Sequence, residues 1–471
     1  MADEYDVVVV GGGAVGENAA SRAAQGGLNV ALVEAELVGG ECSYWACMPS
    51  KALLRPGNAL AAARRAPGAK QAVTADLDPL AVLANRDAFA SHWDDGPQVE
   101  WAQHAGLTVI RGRARLAGER AVEVTGTHGT RRLAARHGVV LCTGSVPVTP
   151  PVDGLSGVAH WSSRQATSAQ EVPGRLAVLG GGVVAVEMAQ AFVRLGTRVT
   201  VVGRADRLLA TMEPIAGELV GDALRDEGVI LHLGAEVVRV SRERGTVRLA
   251  LAGGRDVEAD ELLVATGRRP ATDDLGLDTV GLTPGGPLPV SDDGRVTGVD
   301  GGWLYAAGDV TGRAPLTHQG KYAARVVGDV VAARARGERP EPVAWTRFAA
   351  TADHVAVPQV VFTDPEVAAV GRTAEQARSA GLPIDIVDLD IAVAGSAVHA
   401  EGYTGKARMV VDTGRQVLVG VTFVGQDVAE LVHSATIAIA GEVPLHRLWH
   451  AVPVFPTISE VWLRLLESYG L

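Results

Sequence analysis

Two stretches of this chain place a glycine-rich turn between an apolar strand and a helix, and that pattern leaves few folds open. Residues Tyr5 to Val10 read as a strand, Gly11-Gly12-Gly13-Ala14-Val15-Gly16 follows as G-x-G-x-x-G, and a small-residue helix runs from about Ala19 to Gln25. A second strand, Asn29 to Val33, ends at Glu34. Glycines so spaced let the backbone approach a pyrophosphate at a helix N-terminus, while an acid at the end of the second strand binds a ribose hydroxyl pair. Gly11, Gly13, Ala14, Val15, Gly16 and Glu34 are therefore candidates for holding a dinucleotide. A glycine-rich turn alone is common, but here strand, helix, second strand and acid all coincide.

The pattern recurs. A strand from Leu176 to Leu179 leads into Gly180-Gly181-Gly182-Val183-Val184-Ala185, then a helix through Leu195 and a strand from Arg198 to Val202. Two such folds imply two nucleotides. Glu34 stands 23 positions after Gly11, and the equivalent step from Gly180 reaches Gly203, followed by Arg204. The second site lacks the ribose acid and offers a cation, which attracts a 2′-phosphate that an acid would repel, so NADPH is expected over NADH. A surface arginine at a strand end is the ordinary alternative.

Composition narrows the class. In 471 residues with a 47% hydrophobic share, two to four globular domains are expected, and neither glycine periodicity nor long heptads point to a fibrous chain. The longest apolar runs are strand-length, well short of the ~20 residues of a spanning helix, so no membrane segment is expected. A formal charge of −11 argues against nucleic acid or an anionic membrane as the main partner. The opening Met-Ala-Asp-Glu-Tyr-Asp carries no leader pattern, and a cytoplasmic protein is expected. Three cysteines cannot form a secreted disulfide framework, yet Cys42 and Cys47 stand five positions apart after a glycine pair, which suggests chemistry. Cys142, within Val139-Val140-Leu141-Cys142, reads as a small buried hydrophobe. No metal site is expected.

With the two fingerprints, the segments Gly39-Gly40-Glu41-Cys42-Ser43-Tyr44-Trp45-Ala46-Cys47-Met48-Pro49-Ser50-Lys51, Thr143-Gly144-Ser145, Ala306-Ala307-Gly308-Asp309 and Val357-Pro358-Gln359-Val360-Val361-Phe362-Thr363 make the chain resemble a known family along essentially its whole length. It resembles the flavin- and pyridine-nucleotide-dependent disulfide oxidoreductases, the group of dihydrolipoamide dehydrogenase, glutathione reductase, mercuric reductase and soluble transhydrogenase. The resemblance implies an α/β fold class: two Rossmann-like dinucleotide-binding domains plus a C-terminal α+β dimerisation domain. Residues 1–150 and 268–345 would bind FAD, 151–267 NAD(P)H, and 346–471 would form the interface of a homodimer.

By that resemblance FAD lies on the first fold, with Glu34 on its adenosine ribose, Asp309 on its ribityl chain, and Gly40, Ala114, Thr143, Gly144 and Ser145 lining the site. The nicotinamide nucleotide would meet Gly180, Gly182, Val183, Val184, Glu187, Arg204, Val237 and Gly267. Cys47 is assigned to the flavin and Cys42 to exchange with the acceptor. The chain has only four lysines and arginine is its default cation, so a lysine within Pro49-Ser50-Lys51 points to a specific role. The family pairs such a lysine with an acid beside the flavin, here Lys51 with Glu187, where a positive charge stabilises the anionic reduced ring. Tyr44 and Trp45 either wall a planar acceptor or pack the helix carrying the cysteines, and packing is the commoner role.

The C-terminus departs from the family. Disulfide reductases of this group carry His-Pro-Thr with a glutamate three residues on, the histidine acting as acid/base across the dimer interface. Here the run is Phe455-Pro456-Thr457-Ile458-Ser459-Glu460, and a phenyl ring cannot move a proton. His446 and His450 stand nearby as alternative bases or ordinary surface residues. Ordinary disulfide reduction is thereby put in doubt, whereas Glu460 is retained as a candidate catalytic residue. A full mercuric reductase would also need a C-terminal cysteine pair, which Leu466-Glu467-Ser468-Tyr469-Gly470-Leu471 lacks. The expectation is an FAD-dependent NAD(P)H oxidoreductase that passes electrons through Cys42 and Cys47 to a small-molecule acceptor, a quinone or another electrophile. The alternatives are a disulfide reductase with another proton donor and a flavoprotein acting as redox sensor or scaffold.

Overall fold

The structure is a computed structural model and describes residues 2–471. The chain divides into two compact units. The first comprises the residues up to Pro49, Asp87–Val148 and Arg268–Asp353; the second comprises Ser50–Arg86, Thr149–Gly267 and His354–Leu471.

In the first unit the run Val7-Val8-Val9-Val10 forms the C-terminal half of the strand Asp3–Val10, which pairs in parallel with Val30–Glu34 on one side and Gly129–Leu141 on the other. Side chains alternate across a strand, and every one of these valines is buried because both faces of the sheet are covered. Val8 and Val10 pack with Leu133, Leu277 and Trp303. Val7 and Val9 pack with Ala19, Ala20 and Ala23 of the helix Ala14–Gln25 and with Val327, Val330 and Val331 of the helix Thr317–Ala335. A glycine on the second helix allows the close approach: a Cβ at Gly328 would lie 2.6 Å from Cβ of Arg22 on the first. The sheet has seven strands. Leu107–Arg111, Val30–Glu34, Asp3–Val10, Gly129–Leu141 and Leu304–Ala306 are parallel, and an antiparallel hairpin, Arg113–Leu116 with Ala121–Gly126, extends it.

The strand expected at Val139 to Leu141 begins ten residues earlier, at Gly129. Its first half carries exposed Arg131 and Arg132 and pairs with the hairpin, so it lacks the apolar run that marks the buried half.

The second unit contains three sheets. The strands Ile230–Leu233, Arg198–Gly203, Arg175–Leu179 and Glu261–Val264 form a parallel sheet in that order. Val237–Glu243, Thr246–Leu251 and Asp256–Ala259 form an antiparallel sheet. Five strands between Pro358 and Gly425 form another, in the order Pro358–Val361, Glu366–Gly371, Val417–Gly425, Lys406–Asp412, Ile384–Asp390. Among the described residues, no helix is long and apolar enough to cross a membrane.

Candidate active site and nucleotide cradles

The parallel strands of the first unit bring their C-terminal ends to one edge of the sheet, the edge where α/β sheets bind ligands. Asp3–Val10 delivers Gly11, Val30–Glu34 delivers Glu34, Gly129–Leu141 delivers Thr143, and Leu304–Ala306 delivers Asp309. Gly11 has φ +101°, and a Cβ there would lie 2.4 Å from the carbonyl oxygen of Cys142, so only glycine fits the turn. The amide of Gly12 donates to Glu34 Oε2 at 2.6 Å, which orients the carboxylate. Gly13 caps the helix Ala14–Gln25 with no side-chain bond to its first-turn amides, and a Cβ at Gly40 would come within 2.7 Å of its Cα. Bare amides, a positive helix end and closely opposed glycines make a cradle that fits the diphosphate of FAD. Val15 closes one side against Gly308 and Gly320. Thr143 and Gly144 bond to Ala271, and Ser145 Oγ donates to Asp309 Oδ2 at 2.6 Å. Ala114 is a core residue of the strand Arg113–Leu116 and can offer a ligand only its backbone.

One acid of this cradle was not singled out from sequence. Glu17 is 9% exposed and its Oε1 finds no partner among the described residues. Burial pushes its carboxyl up to about 7, with Lys321 opposing the shift and Glu34 adding to it. The native state therefore binds a proton that the unfolded chain releases near 4.5. Stability is full below that value and falls by about 3 kcal/mol as pH rises through about 7. Glu17→Gln is expected to raise the thermal midpoint at about pH 8 and leave it unchanged near pH 4.5, read by differential scanning fluorimetry. Equal shifts at both pH values would show that charge is not the cause.

Cys42 lies in the short helix Gly40–Tyr44, and Cys47 opens the helix Cys47–Arg65. The two are joined in a disulfide with Cα atoms 4.6 Å apart. Cys47 Sγ is 3.2 Å from Thr317 Oγ1, a neighbour 270 positions away that no motif announced. Tyr44 is 1% exposed and donates its hydroxyl to the Val38 carbonyl at 3.0 Å, while its own carbonyl accepts from Trp93 Nε1. It packs the cysteine segment and forms no wall, and burial pushes its phenol up to about 12. Trp45, partly exposed, meets Tyr44 edge to face. Cys142 is buried, as expected, and burial pushes its thiol up to about 12.

The parallel sheet of the second unit repeats the cradle. Gly180 has φ +130° and abuts the Ala265 carbonyl, where a Cβ would lie at 2.3 Å. Gly182 caps the helix Val183–Arg194 without a side-chain bond, leaving open amides beside Val183 and Val184. Gly203 ends the strand Arg198–Gly203, Arg204 beyond it is exposed, and Gly267, φ +125°, has open space at its Cβ position. Val237 begins the antiparallel sheet and is 7% exposed, packed in a core that includes Leu179, Val202 and Leu249. Glu187, on the buried face of the helix, accepts from Lys51 Nζ at 2.8 and 3.2 Å and from the Phe362 amide at 3.0 Å. Lys51 Nζ also stands 4.7 Å from the Phe362 ring centroid. The expected pair is thus formed, with a third partner that sequence did not reveal.

In the C-terminal segment Phe455 is 72% exposed, in company with exposed Trp449, Val452 and Val454. His446 and His450 are exposed. Glu460 is buried: Oε1 accepts from Arg464 at 2.7 Å, and Oε2 has no partner among the described residues. Among the described residues no group of three or more His, Cys, Asp or Glu converges as a metal site.

Two phosphate-type cradles and a disulfide define an oxidoreductase that couples nucleotides to a dithiol. Residues 5–337 match the pyridine nucleotide-disulphide oxidoreductase model, and residues 357–465 match the dimerisation domain of that family. The chain belongs to the pyridine nucleotide-disulphide oxidoreductases. It is 30% identical to mercuric reductase of Staphylococcus aureus over 461 residues, 97% of this chain and 81% of that one. It is 31% identical to dihydrolipoyl dehydrogenase of Chlamydia muridarum over 467 residues, 98% and 96% of the two chains. Among solved structures it is similar to the Cu(II) complex of the HOCl-induced flavoprotein disulfide reductase RclA from Escherichia coli, with TM-score 0.82, 26% identity and 99% of each chain covered. The chain is an FAD-dependent oxidoreductase with a redox-active pair, Cys42 and Cys47, in a family that uses pyridine nucleotides.

Proposed function

We propose that this enzyme draws electrons from NADPH and delivers them through FAD and the Cys42–Cys47 pair to a small electrophile, with a quinone favoured over a conventional disulfide. The observation that carries this reading is an exposed Phe455 in the place where disulfide reductases keep an acid/base histidine, five positions before a buried Glu460 whose Oε2 has no partner among the described residues. A disulfide acceptor consumes NADPH and a proton and yields two thiols, so its departing thiolate needs a proton donor. A quinone takes two electrons and two protons to give the hydroquinone, and its oxygens can draw those protons from solvent. Bound FAD supplies two-electron transfer between nucleotide and dithiol. On the protein side Lys51 and Glu187 provide a fixed positive charge, Asp309 and Glu34 hold polar groups of the cofactor, Cys47 faces the flavin and Cys42 exchanges with the acceptor.

The names of the relatives add mercuric and cupric ions as electrophiles a thiolate takes directly. The deciding experiment is an acceptor panel of quinones, mercuric ion, cupric ion, oxygen, lipoamide and glutathione disulfide. Rapid turnover with lipoamide or glutathione disulfide and none with quinones would overturn the reading. The exposed side chains of Trp449, Val452, Val454 and Phe455, within the segment matching the dimerisation domain, support a homodimer. A cytoplasmic location suits a dithiol that must be kept reducible.

Arg204 is exposed at the end of the strand Arg198–Gly203, and it is the feature supporting NADPH. We expect kcat/KM for NADPH to exceed that for NADH by about tenfold or more, as a charge-assisted phosphate contact provides. The double change Gly203→Glu with Arg204→Leu is expected to reverse the order. A preference for NADH in the unmodified enzyme would remove the argument.

A further inference from the structure

We infer that Arg268 and Glu41 form a compensating charge pair that sets the reactivity of Cys42. Glu41 immediately precedes Cys42, within the helix Gly40–Tyr44. Its Oε2 accepts from Arg268 Nη2 at 2.9 Å. The same guanidinium donates from Nη2 to the Ser145 carbonyl at 2.7 Å and from Nε to Ser145 Oγ at 2.8 Å. Ser145 Oγ spends its one proton on Asp309 Oδ2. Antiparallel pairing of Ser145–Pro147 with Arg268–Pro270 holds both backbones in register. A cation held to Ser145 by hydrogen bonds to its hydroxyl and its carbonyl thus stands against the carboxylate next to the exchange cysteine, and the serine that holds it also binds the aspartate proposed for the ribityl chain. None of these contacts follows from a local motif, since Arg268 lies 227 positions from Glu41.

Adjacent residues have Cα atoms about 3.8 Å apart, and although neighbouring side chains of a helix do not face each other, a charge one residue away still acts through space on the Cys42 thiol. A thiolate is favoured by nearby positive charge and disfavoured by negative charge. As a pair, Arg268 and Glu41 nearly cancel. Without the carboxylate the guanidinium charge is no longer offset by Glu41 and makes Cys42 more reactive; without the guanidinium the carboxylate charge is no longer offset by Arg268 and makes it less reactive. Both side chains are about one-third exposed, at 30% and 27%, so solvent screening holds each effect to a modest fold-change.

This inference rests on the proposed role of Cys42 as the exchange thiol. The test uses FAD-loaded protein, reduced anaerobically with dithiothreitol, desalted, and alkylated with iodoacetamide across pH. The modified cysteine is identified by mass spectrometry. Glu41→Gln is expected to speed Cys42 alkylation near neutral pH by about three- to tenfold and shift its pH midpoint down. Arg268→Gln is expected to slow it by a similar factor and shift the midpoint up, and the double variant to return within about twofold of wild type. Arg268→Lys, which keeps the charge, is expected to stay close to wild type. A merely structural role would move both single variants the same way, and that outcome, with Cys42 modified, overturns the inference alone. Should Arg268→Gln not fold, an unaltered Cys42 rate in Glu41→Gln overturns it equally. Modification of Cys47 in place of Cys42 would instead overturn the assignment of the exchange thiol and this inference with it.

Discussion

Anaerobic addition of one equivalent of NADPH to the wild-type enzyme is expected to produce a long-wavelength absorption band, and Cys47→Ser is expected to abolish it. Such a band arises when a thiolate lies beside an oxidised isoalloxazine and donates charge to it. Only one of the two sulfurs is proposed to face the ring. Cys47 opens a helix and has Thr317 Oγ1 3.2 Å from its sulfur, in the unit that also carries Asp309 and the first cradle. The matching change Cys42→Ser leaves Cys47 as a free thiol, so this variant is expected to keep the band without adding reductant while losing exchange with any thiol-reactive acceptor. Loss of that route should cost at least about 10²-fold in turnover, because a serine hydroxyl is not ionised near neutral pH and cannot re-form the disulfide. A band that survives Cys47→Ser and disappears in Cys42→Ser would exchange the two assignments. No band in wild type would sink the claim that the pair communicates with the flavin.

Sequence reading reached furthest where geometry is local. The buried valine run of the first strand, the glycine turn at Gly11 and the Cys42–Cys47 bridge were read from residues near one another in the chain. Lys51 with Glu187 spans 136 positions and was legible only because a family pattern joins them. What stayed hidden is long-range and unpatterned: Thr317 at Cys47, the Phe362 amide on Glu187, and Arg268 on Glu41. Glu17 was hidden for another reason. The helix expected from sequence begins only at about Ala19; in the structure it begins at Ala14 and takes Glu17 into its first turn, where an acid is ordinarily solvated and favoured by the dipole, and packing leaves its Oε1 buried and unpartnered among the described residues. Tyr44 shows the converse, a residue with two readings that burial and one hydrogen bond to Val38 decide.

The largest gain of function is expected from Phe455→His. Wild type presents a 72% exposed phenyl ring at this position, and a phenyl ring can neither give nor take a proton. Five residues later Glu460 is buried, with Arg464 on Oε1 and Oε2 unpartnered among the described residues. A buried carboxylate oxygen without a donor is costly, and a ring N–H is the donor such an oxygen suits. Introducing histidine should therefore supply both the missing proton carrier and a group for Glu460 to hold. Turnover with glutathione disulfide or lipoamide is expected to rise by about 10²-fold, the lower end of what a positioned acid/base contributes. Its pH profile should acquire a limb in the range where an imidazole titrates. Quinone turnover should stay within about twofold, since solvent can protonate the product oxygens. The double variant Phe455→His with Glu460→Gln separates proton transfer from simple relief of aromatic bulk: it should lose most of the gain if Glu460 orients the ring, and keep it if only the removal of phenylalanine mattered. Wild-type enzyme that already reduces these disulfides rapidly would show that the phenylalanine had cost no proton donor.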